Sequence, residues 1–284
     1  MLTSPANQLA LIRPRAGIAL AGRIGRLGGA MLGARYCPSA EEVEAAFGDL
    51  SKREVEEIRR EVTSLECRNA AVETVFRKHG LEPLLPLVRV DPGPLFQLLQ
   101  EKTPVVIVSW HMGPQRQLMA TLRQLDIDGL LAVSKPLALR AESDSLEVVA
   151  LKDRGLGARF LRRAIDKLRD GGVVAIALDG EQGARHPVPF LGRTVEIGRG
   201  TAALVRVAGA ELLPLTGRWI GHSGTFETRL HPPLAKPAVD RKEAVQFDTE
   251  LLATAARFFE DEARRAPGNV SLRRLRKLGQ RVVS

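Results

Sequence analysis

Apolar positions along the chain repeat with two different periods, and the change from one to the other divides it. In the front third they recur every three or four residues. Val55, Ile58, Val62, Leu65, Val72 and Phe76 form the stripe of a long helix that opens after Ser51 and closes at Gly80, ahead of Pro83. Ser51 with Glu54, and Ser39 with Glu42 before a shorter helix ending near Phe47, each have the spacing of a capping box. Asn69 falls inside the long stripe as a polar group to be satisfied in the core. Upstream, residues 9–33 read as an imperfect amphipathic helix. Leu20, Ile24, Leu27 and Met31 share one face, and Ala21, Gly25, Gly29 and Gly33 form a small-residue stripe at spacing four.

From residue 104 short apolar runs alternate with helical patterns. Val105–Ser109 and Trp110 read as a buried strand, followed by a helix over 114–125 with Pro114 in its first turn, and a strand over 130–133. Helices near 142–151 and over 157–170 follow, the latter stopped by Gly171 and Gly172. Then come a strand over 173–178, a long loop from Asp179 to Gly200, a helix over 201–208, and strands near 211–219 and 224–231. Asp240 with Glu243 caps a last helix over 241–265, with Leu251, Leu252, Ala255, Phe258 and Phe259 on its apolar face. This alternation predicts an α/β fold, a mixed sheet covered by helices, with an N-terminal helical lobe at 1–90 and the α/β domain at 91–284.

Charge changes this picture at the ends. Of a net +9, residues 1–40 carry five basic side chains and residues 264–284 carry seven, with no acid in either segment, so the residues between them carry −3. Such ends suit an anionic membrane surface or nucleic acid, or they are solvated basic faces. Aromatic content of 4%, with no aromatic residues interleaved among basic ones, speaks against nucleic acid. No run of apolar residues is long enough for a membrane span, and Arg13, Arg15, Arg23 and Arg26 interrupt any signal-peptide core. Cys37 and Cys67 form no metal spacing or disulfide framework, and His186, His222 and His231 have no metal spacing either. Gly155 and Gly157 lack the third glycine of a dinucleotide fingerprint, and no cofactor is expected.

Candidate chemistry centres on His111, at the corner where the 105–110 strand ends and Gly113–Pro114 leads into a helix. Such corners face the crevice at the carboxyl edge of an open sheet. Downstream lie Leu178–Gly183, Val188–Arg193 with Phe190 and Gly192, Gly198–Gly200, Ala203–Leu204, Gly209–Ala210 and Pro214, and finally the tail 266–274. In this order the motifs resemble the bacterial lipid A lauroyl/myristoyl acyltransferase family, within the lysophospholipid acyltransferase superfamily. The resemblance runs over nearly the whole chain, although the tail lacks that family's usual tryptophan.

The resemblance implies transfer of a fatty acyl group from an acyl carrier protein or acyl-coenzyme A thioester to a hydroxyl or amine of a lipid-like acceptor. It implies a peripheral enzyme on the cytoplasmic face of the bacterial inner membrane. His111 would be the base, and backbone donors at Gly113 would stabilise the oxyanion. Lys135, Arg154, Arg193 and Arg199 would hold phosphate groups, while Phe190 and Gly192 would shape the acceptor side. The chain departs from the family's His-x4-Asp/Glu pattern by placing Arg116 at the carboxylate position. Arginine only donates, so it cannot orient the imidazole as a base. Either Asp179 or Glu181 takes over that task, or the chain is a catalytically impaired relative that binds lipid or acyl carrier protein.

Overall fold

The computed structural model describes residues 5–28, 36–133, 143–150, 156–180, 184–237, 240, 242–272 and 276. Among them a seven-stranded sheet has the order β1-β9-β8-β2-β5-β3-β4. Its strands are β1 (Val88–Asp91), β2 (Val105–Ser109), β3 (Gly129–Val133), β4 (Leu146–Ala150), β5 (Val173–Ala177), β8 (Glu211–Trp219) and β9 (Phe226–Leu230). The five strands from β8 to β4 run parallel, and β9, antiparallel to β8, pairs parallel with β1 at the other edge, so the sheet is mixed.

The central strands are apolar on both faces, as strands covered on both sides must be. Successive residues of β2 divide between the two cores. Val106 and Val108 face one core together with α7 (Leu156–Arg169), α8 (Gly200–Ala208) and α9 (Ala244–Arg265). Val105 and Ile107 face the other with α6 (Gln117–Leu125), the first two front helices and the second half of the fourth, whereas the third front helix and the first half of the fourth bury their apolar residues in the first core. Those front helices are α1 (Pro5–Ile12), α2 (Pro14–Gly28), α3 (Ala40–Phe47) and α4 (Lys52–His79). Both capping boxes form: Glu42 N–H donates to Ser39 Oγ at 3.1 Å and Glu54 N–H to Ser51 Oγ at 3.3 Å, with each glutamate accepting from its serine N–H. A last short helix in the main domain, α5 (Leu95–Gln100), and strand β1 were not expected from the sequence.

Four expectations are corrected. The single helix over 9–33 is two helices, because Pro14 ends α1 and starts α2 as its first residue. The small stripe of α2 packs on α4: Ala21 and Gly25 are buried, and a Cβ at Gly25 would collide with Thr63 O and Ser64. Met31, Gly29 and Gly33 lie outside the described residues. The helix near 142–151 is strand β4, pairing with β3 and burying Leu146 and Val148 in alternation. The long loop holds a hairpin, β6 (Arg185–Phe190) and β7 (Arg193–Gly198), turned by Leu191 at φ +50° and Gly192 at φ +70°. Pro187 and Pro189 disguise β6; they sit two apart on its exposed face, where missing N–H groups are tolerated on an edge strand. Finally, α9 begins at Ala244 with no side-chain cap, and Asp240 accepts the N–H of Lys242 at 2.9 Å instead.

The hairpin's buried side ends in Phe190, whose ring lies flat on Trp110 at 4.5 Å and 9°, while Phe259 of α9 packs on the indole at 5.5 Å. Trp110 immediately precedes His111, so this aromatic stack supports the strand end that carries the histidine. Phe190→Ala is expected to cost about 3–5 kcal/mol of stability, by lost burial and a cavity, as measured by urea unfolding. Arg193→Ala at the hairpin tip should leave the midpoint within error.

Candidate active site

Parallel pairing of β2 with β5 sets Ser109 opposite Ala177, and Leu178 N–H donates to Ser109 O at 2.9 Å. Just beyond those ends stand His111 and Asp179. His111 Nδ1 lies 2.7 Å from Asp179 Oδ1, and the His111 backbone N–H donates to both oxygens of the same carboxylate at 3.1 and 3.2 Å. Asp179 is 3% exposed, whereas the imidazole side chain is 60% exposed. An ionised carboxylate only accepts, so Nδ1 carries the ring proton and Nε2 is left bare as an acceptor.

The turn that carries His111 is fixed on three sides. Asn69 of α4 donates from Nδ2 to Gly113 O at 3.3 Å and accepts from Gln115 N–H at 2.8 Å. Asn269, in the tail, accepts Gly113 N–H on its carbonyl at 2.7 Å and donates from Nδ2 to Gly217 O at 3.0 Å. Gln117 Nε2 donates to Met112 O at 2.8 Å, and Met112 bridges Val270. Gly113 has φ +72°, and a Cβ there would collide with Gly217 O, so only glycine fits. Asn69 is satisfied, as its place in an apolar stripe required. Asn269 was missed: nothing local marks a tail residue that reaches back to the histidine turn.

The remaining candidates fall in different places. The N–H of Gly113 is spent on Asn269, which removes it from the expected oxyanion role, and the following helix opens four residues later, at Gln117. Phe190 is fully buried and stacked on Trp110, where it supports the strand end by packing. Gly192 and Arg193 form the hairpin tip, where Arg193 pairs with Phe190. Arg199 precedes α8, beside Gly198, whose N–H donates to Leu178 O at 3.0 Å; this brings it next to the Asp179 turn. Arg185, not singled out from the sequence, donates to Gly180 O at 2.8 Å and braces that turn. Lys135, Arg154 and Glu181 lie outside the described residues.

Arg116 does not face His111 as a partner. At φ +68° it is turned to α4, where Nη2 and Nε donate to Glu73 Oε2 at 2.7 and 3.1 Å and the guanidinium lies 4.4 Å over the Phe76 ring. Burial is the largest influence on Glu73 and pushes its pKa up, but Arg116 and Arg77 together outweigh it and hold the carboxyl below its ordinary value. A depressed folded pKa means that the pair's stabilisation is present above the unfolded carboxylate pKa and is lost as pH falls through the folded one. Glu73→Gln is therefore expected to cost about 2 kcal/mol near neutrality, by leaving a half-buried guanidinium unpaired. The gap to wild type should close in strong acid. Arg116→Glu should destabilise at least as much, by setting two carboxylates together, with no gain in any thioester turnover. Chemical unfolding across pH, with turnover assayed in parallel, checks both.

The geometry is that of an exposed imidazole held by a buried carboxylate, on the turn where the sequence motifs begin. A family model described as bacterial lipid A biosynthesis acyltransferase matches residues 104–269, more than half of the chain, with both His111 and Asp179 inside the match. None of the curated proteins matches it. Among solved structures, the crystal structure of the 1-acyl-sn-glycerophosphate acyltransferase PlsC from Thermotoga maritima is similar, at 14% identity and a TM-score of 0.38. The match covers 69% of this chain and 82% of that one. On the family match, the chain belongs to the bacterial lipid A biosynthesis acyltransferase family.

Proposed function

We propose that the protein transfers a fatty acyl group from a carrier thioester to a hydroxyl or amine of a lipid-like acceptor, with His111 as base and Asp179 as the acid that orients it. The observation that carries this reading is the 2.7 Å contact from Nδ1 to a buried carboxylate, with the ring otherwise open to solvent. Bare Nε2 takes the acceptor's proton as its oxygen or nitrogen bonds to the thioester carbonyl carbon. The tetrahedral oxyanion then collapses, the carbon–sulfur bond breaks, and the imidazolium returns the proton to the leaving thiolate. Asp179 stays ionised and stabilises the imidazolium while it lasts.

The alternative, a relative that binds lipid or acyl carrier protein without turnover, drew on the missing motif carboxylate. Asp179 supplies an acceptor where Arg116 has none, which favours the enzyme. An acyl carrier protein or coenzyme A thioester is the donor in this reading, and the enzyme is peripheral on the cytoplasmic face of the inner membrane. No helix among the described residues is long and apolar enough to cross a membrane. Peripheral attachment draws on α2, where Leu20 and Ile24 are partly exposed and Leu27 is 89% exposed.

The test is thiol release from acyl thioesters, with a lipid extract as acceptor. His111→Ala should fall to the buffer rate. Asp179→Asn should lose about 10³–10⁴-fold, by presenting the wrong tautomer, and the double variant should be no worse than His111→Ala, since the two act as a unit. Turnover in His111→Ala equal to wild type, or wild type no faster than buffer, would sink the proposal.

A further inference from the structure

The basic front end is less free than its sequence implies. Arg26 is ion-paired with Glu57, and Arg15 Nε donates to Ser223 O at 3.1 Å. At the other end Arg264 pairs with Glu260, Arg265 with Glu262, and Arg276 with Glu42. Among the described residues Arg13 and Arg23 have no carboxylate partner, and both line one groove of about 590 Å³ with Arg15, His222 and Ser223. No carboxylate lines that groove among the described residues. The 15-residue helix α2 begins in its wall at Pro14, so the positive end of a helix dipole adds to three guanidinium groups.

Behind His222 stands Arg68, 5% exposed and without a carboxylate partner among the described residues. It lies 5.4 Å over the Trp219 ring and against α2, where a Cβ at Gly22 would occupy its place. Its Nη2 donates to Gly221 O at 2.8 Å and lies 3.4 Å from His222 Nδ1, while its buried Nε has no hydrogen-bond partner. Burial, and secondarily Arg26, lowers its pKa to about 10, so it remains a cation at neutral pH. A guanidinium can only donate, so His222 Nδ1 must accept and Nε2 carries the ring proton. His222 is thus held as a donor in a groove already rich in donors, backed by a buried positive charge that lacks its counter-ion. A buried charge without a partner is costly, and an anion nearby offsets that cost.

We propose that this groove binds the phosphate group of an anionic membrane lipid, a monoester headgroup above all. Guanidinium forks match phosphate oxygens in pairs, and a monoester presents the most oxygens to the converging donors. A lipid is favoured over free phosphate because exposed apolar side chains neighbour the cationic ones along α1, α2 and the residue between them. Ile12 precedes Arg13, Ile24 follows Arg23, and Leu27 lies one turn beyond. The site does not depend on turnover at His111, so the two proposals stand or fall separately.

The experiment is sedimentation of the full chain with phosphatidylcholine vesicles that contain either phosphatidic acid or phosphatidylglycerol, matched in surface potential. Phosphatidic acid should bind more tightly. Arg13→Gln combined with Arg23→Gln should weaken that binding at least tenfold; both side chains are exposed, and an unchanged melting temperature checks the fold. Arg264→Gln with Arg265→Gln, at paired sites on α9, should bind as wild type does. As a second readout, the His222 ring ¹⁵N signals should move with short-chain phosphatidic acid and move less with inorganic phosphate at the same concentration. Equal binding to the two vesicles, or a groove variant that pellets like wild type, would overturn the site. Saturable binding of inorganic phosphate that leaves vesicle binding unchanged would overturn the lipid as its source.

Discussion

A carboxylate sealed from solvent has to be satisfied by hydrogen bonds, and at Asp179 three contacts from one residue do much of this work. Two come from the His111 N–H and one from its ring. The arrangement requires β2 and β5 to be neighbours in parallel register, since the two residues are 68 apart in sequence and each stands two positions past a paired strand end. That register in turn rests on apolar runs buried on both faces, Val105–Val108 and Val173–Ala175. The core therefore fixes the order of the sheet, the sheet order places the acid, and the acid fixes which ring nitrogen faces out.

Helix α4 is the back wall of this arrangement. Asn69, Glu73 and Phe76 follow the helical repeat along one face, and each touches the turn after β2: Asn69 clamps Gly113 and Gln115, Glu73 takes Arg116, and Phe76 lies under the guanidinium. The position that holds the motif carboxylate in the family is thus occupied here by a group that ties α6 to α4. The carboxylate on the His111 ring comes from the end of β5, and Arg116 holds the helix start in a left-handed conformation.

What the sequence made legible follows the range of the interactions. The capping boxes at Ser39 and Ser51 and the strands β2 and β5 are local patterns, and they could be read directly. The sequence of strand β4 reads as a helix because five residues around Val148 and Val149 are too few to fix a period. The β6–β7 hairpin was read as loop because Pro187 and Pro189 look like strand breakers until their exposed edge is known. His111 and Asp179 were each visible as candidates, yet their pairing, like the reach of Asn269 to Gly113, exists only after folding. Charge follows the same rule. Segments without a local acid gain one in space, as when Glu57 meets Arg26 and Glu42 meets Arg276.

That redistribution decides where electrostatics can act. Charges paired within hydrogen-bond reach contribute little field beyond a Debye length of roughly 8–10 Å, so a count of basic residues overstates the attraction of the ends. Arg13 and Arg23, without a carboxylate partner among the described residues, stand where α2 meets the turn after β8. Because β8 runs parallel to β2, with Ser109 level with Leu215, that turn lies on the same edge of the sheet as His111. Gly217 links the two regions, since it accepts from Asn269 and abuts Gly113 one strand-length before His222. The strand that leads into the cationic turn is therefore joined to the turn that carries His111 by hydrogen bonds, Gly217 O accepting from Asn269 Nδ2 and Asn269 O accepting from Gly113 N–H.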